Sequence, residues 1–130
     1  MADFSTSRAI AASGMAAQAE RLRFLSENIS NADTPGYRRK TASFQEVLDA
    51  GQSTGKVQIG PVELDQAALE RVYDPSHPLA GDDGYYDGSN VNLVVEIADA
   101  REAQRSYEAN LRVFDQARQM SRSLFDLLRR

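Results

Sequence analysis

From Asn90 to Arg130 the sequence contains neither proline nor glycine. A stretch that long without a breaker points to one continuous helix. Asn90 or Asn92 can cap its start, Glu96 sits near its positive end, and Arg129 and Arg130 suit the negative end. One stripe runs through Leu93, Ile97, Ala100, Gln104, Tyr107, Leu111, Phe114, Arg118, Ser121, Phe125 and Leu128. A second appears in the last third, through Val113, Ala117, Met120, Leu124 and Leu127. A helix that is apolar on two adjacent faces must touch more than one neighbour. At 1.5 Å per residue such a helix is about 60 Å long, whereas a compact chain of this size spans roughly 36 Å. The helix overshoots its own globule, so the pattern predicts assembly with other chains.

A second helical pattern covers residues 7–31. Ala11, Met15, Gln18, Leu22, Leu25, Ile29 and Ala32 alternate steps of four and three, keeping one stripe toward a partner. The stripe is small and polar at first and strong from Leu22 onward, so its first turns are expected to fray without company. Pro35 and Gly36 end it. Residues 37–89 show no sustained helical period. Phe44 to Leu48 reads as a short helical turn or an extended piece. Val57-Gln58-Ile59 and Val62-Glu63-Leu64 read as two short strands meeting at Gly60-Pro61, and residues 51–55 as a flexible loop. Pro75, Pro78, Gly81, Gly84 and Gly88 argue against regular structure over residues 73–89.

The predicted fold is therefore mainly α. Long N- and C-terminal helices pair as an elongated antiparallel coiled coil, with a small irregular, β-hairpin middle region. Its segments are 1–36, 37–89 and 90–130, forming one structural unit.

Composition narrows the chemistry. The chain has no cysteine and one histidine, which removes thiol catalysis, disulfides and multi-histidine metal sites. Fifteen basic against nineteen acidic residues give a net charge of −4, the wrong sign for a dedicated nucleic-acid binder. Tyr37-Arg38-Arg39-Lys40 could grip phosphate or acidic lipid, but so short a run reads better as a solvated strand edge or loop. His77 lies in a turn-rich stretch with no promised nucleophile beside it. Asp82, Asp83 and Asp87 lack the ligand spacing of a calcium loop, and Gly81 with Gly84 lacks the phosphate-cradling pattern. No catalytic, cofactor-binding or metal residue is assigned, and no small-molecule substrate is expected. The N-terminus lacks the basic start and unbroken apolar core of a secretory signal. The sequon Asn28-Ile29-Ser30 falls in a helical pattern and reads as accidental.

Several of these residues together resemble a known family. Asn28-Ile29-Ser30-Asn31-Ala32-Asp33-Thr34 looks like the N-terminal signature of bacterial flagellar axial proteins of the rod and hook group. Ser89-Asn90-Val91-Asn92, and the run from Ala103-Gln104 through Tyr107 to Asn110, look like the matching C-terminal signature. With Gly14-Met15, Tyr37-Arg38-Arg39-Lys40 and Tyr73-Asp74-Pro75-Ser76-His77-Pro78, the likeness is to the basal-body rod proteins, nearest their proximal C-type group. A B-type rod protein, or a helical adaptor binding one partner, is the alternative.

The resemblance implies a non-catalytic rod subunit without cofactors. It implies export through the flagellar type III apparatus without signal cleavage, and helical assembly in the periplasmic part of the basal body. Expected partners are further copies, other rod proteins, and the membrane ring with its rod adaptor. The motif residues it marks are Asn28, Asn31, Thr34, Tyr37, Asn90, Gln104, Tyr107 and Asn110. Combined with the stripes, it points to Met15, Leu22, Leu25, Ile29, Ile97, Tyr107, Leu111, Phe114, Met120, Leu124, Phe125 and Leu127 as the assembly seam. Residues 33–40 and 73–90 are expected to set contacts outside it.

Overall fold

A computed structural model describes residues 2–129; Met1 and Arg130, the outer ends of the expected terminal segments, lie outside them. Helix α1 spans Ala2–Ser30 and helix α2 spans Leu93–Leu128. They pack antiparallel. The end of α1 meets the start of α2 at Asn28 and Glu96, Gly14 meets Asn110 midway, and Phe4 shares a groove with Leu124 and Leu127 at the far end. That last contact explains why α1 begins at Ala2 rather than at residue 7: tertiary packing holds turns that propensity alone leaves frayed.

Between the helices lie three two-stranded antiparallel ladders rather than one sheet. Strand β1 (Lys40–Thr41) pairs with β4 (Glu63–Leu64), β2 (Phe44–Asp49) with β3 (Gln52–Ile59), and β5 (Arg71–Tyr73) with β6 (Tyr85–Asp87). Three expectations need correction. The segments 57–59 and 62–64 are not each other's partners, because the first pairs back onto β2 and the second onto β1. Residues 51–55 are not a loop: Ala50 and Gly51, both at positive φ, make a two-residue turn, and β3 starts at Gln52. Residues 73–89 are not irregular throughout: they hold the end of β5, the connection and all of β6 of an ordered hairpin, with Pro75, Pro78, Gly81 and Gly84 in the connection and Gly88 just past β6.

The β2–β3 hairpin lies along α1 and buries its second face. Ser13 Oγ accepts a hydrogen bond from the Val57 amide at 3.2 Å. The hairpin's register shifts between Glu46 and Leu48, and opposite that shift Gly55 sits at positive φ against Ile10. Ala17 and Phe24 are buried although they lie off the stripe facing α2; both line the groove shared with Val57 and Ile59. α1 is thus clasped on two sides.

Candidate functional site

The turn after α1 delivers Tyr37, Arg38, Arg39 and Lys40 to the junction of the two helices. Asn31 ends α1 by donating from its side chain to Glu27 O at 3.0 Å and accepting from Thr34 Oγ1 at 3.1 Å. Asn28, with no exposed surface, then holds the returning strand. Its Oδ1 accepts from the Lys40 amide and the Tyr37 hydroxyl, each at 2.8 Å, and its Nδ2 donates to Lys40 O at 3.0 Å. Both backbone polar groups of Lys40 are therefore satisfied by one side chain.

Arg39 crosses the junction. Its Nε donates to Glu96 Oε1 at 2.6 Å and its guanidinium reaches Asp65 Oδ2 at 3.3 Å. Its amide donates to Asn90 Oδ1 at 2.7 Å, and Asn90 Nδ2 donates to the carbonyls of Asp65 and Ala67. Ser89 Oγ donates to Ala32 O. Burial alone would lower the pKa of Arg39, but the hydrogen bond to Glu96 and the charges of Glu96 and Asp65 outweigh it and hold it up. Asp65 lies below the usual carboxylate range, through the Ala67 amide first and Arg39 second. Lys40 and Glu27, paired at 2.8 Å, each favour the charged form of the other. Burial pushes the Tyr37 phenol up.

The basic run is thus neither a phosphate grip nor a solvated loop. Glu96 and Asp65 take Arg39, Glu27 takes Lys40, and backbone carbonyls of Asp65 and Ala67 take Arg38. Glu96 lies in the first turn of α2, near its positive end as the sequence indicates, and is in addition a buried partner. Asn92 caps α2 by accepting from the amides of Val94 and Val95.

Along α2 covered positions recur in steps of four and three through Glu96, Ala100, Ala103, Tyr107, Asn110, Phe114, Ala117, Ser121 and Leu124, with Asp99, Ser106 and Asp115 half-buried beside them. This heptad seam lies one residue out of phase with most of the stripe read from sequence, because the side chains that meet α1 are small or polar. Ala100, Tyr107, Phe114 and Ser121 are shared; Leu93, Ile97, Gln104, Leu111, Arg118, Phe125 and Leu128 are exposed. Large apolar residues occupy the positions flanking the seam. Ile97, Leu111 and Phe125 lie on one flank and Val113, Met120 and Leu127 on the other, all exposed. A two-stranded coiled coil places charges there; apolar flanks on both sides suit a helix with more than one partner helix.

The expected assembly set is accordingly divided. Leu25 is buried, and Met15, Leu22, Ile29, Tyr107, Phe114 and Leu124 are half-buried, while Ile97, Leu111, Met120, Phe125 and Leu127 face outward. Of the motif residues, Asn28, Tyr37 and Asn90 join the polar junction, Asn31 and Thr34 shape the turn, and Tyr107 and Asn110 lie on the seam; Gln104 is exposed. His77 stacks on Tyr86 with ring centroids 3.9 Å apart and accepts from the Leu79 amide, a turn-forming role. Asp83 pairs with Arg71 at 2.9 Å.

Comparison with known proteins ties the two ends together. Residues 9–38 match the family described as flagella basal body rod protein, and residues 82–127 match the flagellar basal body rod FlgEFG protein C-terminal family. The flagellar basal-body rod protein FlgC of Agrobacterium fabrum is 43% identical over 136 residues, covering 99% of this chain and 98% of that protein. The chain belongs to the FlgC family. FlgC of Salmonella typhimurium is 38% identical, covering 85% of this chain and 87% of its own length, and that of Borreliella burgdorferi is 34% identical, covering 92% and 93%. This FlgC-family chain is a structural subunit of the proximal rod of the flagellar basal body. The N-terminal match takes in the turn and Tyr37, and the C-terminal match takes in Asn90, Glu96 and α2 as far as Leu127.

Sequence reasoning missed the Arg39–Glu96 pair and the role of Asn28. One signal was available: Glu96 is separated from Ala103, Asn110 and Ala117 by whole heptads, which places it on a packed face.

Proposed function

We propose that this chain builds the rod by packing its terminal helices against lateral and axial neighbours in a helical array that carries motor torque. The observation that carries this reading is the pair of exposed apolar flanks on α2. A fully buried leucine or phenylalanine contributes about 1.5–3 kcal/mol, so a few per helix suffice to order an interface. Heterologous contacts that do not close generate such an array, and close-packed helices transmit shear. Met15, Leu22, Leu25, Ile29, Ile97, Tyr107, Leu111, Phe114, Met120, Leu124, Phe125 and Leu127 form the apolar layer, part within the subunit and part between subunits. Segments 1–36, 37–89 and 90–130 act as one unit. The role is non-enzymatic, and the partners are other rod proteins, the membrane ring and its rod adaptor. The site of action is the periplasm, reached through the flagellar export apparatus with the N-terminus retained.

Deleting the chain after Leu111 should abolish basal-body incorporation and swimming. A truncated chain that still builds working flagella would refute the proposal. So would recovery of the full chain wholly in the cytosol of flagellated cells, the distribution expected of a one-partner adaptor.

A further inference from the structure

We infer that two contacts, the buried hydrogen bond of Asn28 with Glu96 and the close fit of the Asn110 side chain against Gly14, are register pins that select one antiparallel alignment of α1 on α2. Asn28 Nδ2 lies 3.5 Å from Glu96 Oε2. At the other pin, a Cβ on Gly14 would come within 2.7 Å of Asn110 Nδ2, so the amide fits only where α1 has no side chain. Gly14 precedes Asn28 by two heptads and Asn110 follows Glu96 by two. The pins therefore stand about 21 Å apart on each helix, and both are met in a single alignment.

The rest of the seam chooses less sharply. Ala11, Gly14 and Gln18 on α1 and Ala100, Ala103 and Ala117 on α2 are covered positions whose side chains, apart from Gln18, are too small to act as knobs that distinguish one heptad from the next. Tyr107 and Phe114 stand one heptad apart, so a one-heptad slide sets one ring where the other was. Sliding α2 by one heptad, about 10 Å, toward the start of α1 sets Ala103 opposite Gly14 and Glu96 opposite Arg21. In that alignment the Glu96 and Arg21 charges attract. The native alignment is preferred because there Glu96 meets Arg39 and Asn28 together. Misalignment separates that buried carboxylate from both and drives the Asn110 amide against a side chain. The pins thereby keep the outward flanks of α2 in phase with the hairpin clasped on α1.

The absence of cysteine makes a direct test simple. Spin labels on the full chain at Ala19→Cys and Arg112→Cys, both exposed positions, report the alignment by pulsed electron paramagnetic resonance in excess unlabelled protein. The parent should give one narrow distance. Asn110→Leu should be at least as resistant to urea yet show a second, longer distance in a tenth of the molecules or more, from a slide of the helices by one heptad, about 10 Å. Asn110→Ala should show the same population and guards against failure to accommodate leucine. Adding Glu96→Leu to either should enlarge it. A single narrow distance in whichever Asn110 variant folds overturns the inference.

Discussion

Arg39 Nε lies 2.6 Å from Glu96 Oε1, joining the strand after α1 to the first turns of α2 across 57 residues, and the carboxylate it meets has no exposed surface. Removing the arginine strands that charge. Arg39→Ala should destabilise the chain by about 2–4 kcal/mol, somewhat below the full range for a buried pair because the guanidinium keeps some solvent. Urea denaturation measures it. Arg39→Lys should recover only part of the loss, since an ammonium cannot serve Glu96 and Asp65 through separate guanidinium nitrogens as Arg39 does. Full recovery by lysine would contradict the geometric account.

Gly14→Ala sets two effects against each other. Alanine is favoured over glycine in a helix by about 1 kcal/mol, but its methyl would crowd the whole Asn110 amide, whose three atoms lie within 3.0 Å of the added carbon. Overpacking costs about 1–3 kcal/mol, so the single variant should be less stable. Asn110→Ala made alongside it should restore the helix gain. A double-mutant cycle measures the coupling, and strict additivity would show the two residues do not meet.

Acid should loosen the junction before the helix pair melts. Asp65 and Glu27 titrate below ordinary carboxylates. The stabilisation they give is complete above the ordinary carboxylate range, about pH 4, and declines as pH falls through their lowered values. Amide exchange at Lys40 and Asp65 should stay protected from pH 5 to 7 and weaken below pH 4, while helical circular dichroism persists. Protection that weakened with rising pH over that range would have the wrong sign.

The flanks of α2 separate folding from assembly. Phe125 and Leu127 are each 66% exposed, so Phe125→Asp and Leu127→Asp should move monomer stability by no more than about 0.5 kcal/mol. Incorporation into basal bodies should nevertheless fall sharply. A monomer melt shifted by several degrees would mean that these side chains already pack within the subunit.

His77→Ala removes the stack on Tyr86 and the acceptor for Leu79. A cost of about 1 kcal/mol confined to the β5–β6 hairpin is expected, with swimming retained. Loss of swimming in a variant that folds and incorporates normally would reopen a chemical role for the imidazole.

The two helices were legible because their signals are local: no breaker after Gly88, a capping Asn92, and Pro35-Gly36 closing α1. Strand pairing was not. Val57 to Ile59 and Val62 to Leu64 alternate correctly, yet alternation carries no information about partners, and the chain chose β2 and β1 for them. The phase of the α2 seam was misjudged for a related reason. Hydrophobic periodicity follows the large residues, whereas the face against α1 is lined by Ala103, Asn110, Ala117 and Glu96.

What the amino-acid sequence determined unaided was two long helices, the turn between α1 and the strands, and more apolar surface on α2 than one partner helix covers. Each follows from propensity, spacing and length, which are properties of neighbouring residues. The tertiary structure alone decided that Asn28, Arg39, Asn90 and Glu96 converge, and which face of α2 turns inward. Isolated in sequence, Glu96 is an ordinary charge on a helix. It is held away from solvent only because Asn28 and Arg39, from two distant segments, satisfy it together, and that closure exists only once the chain has folded.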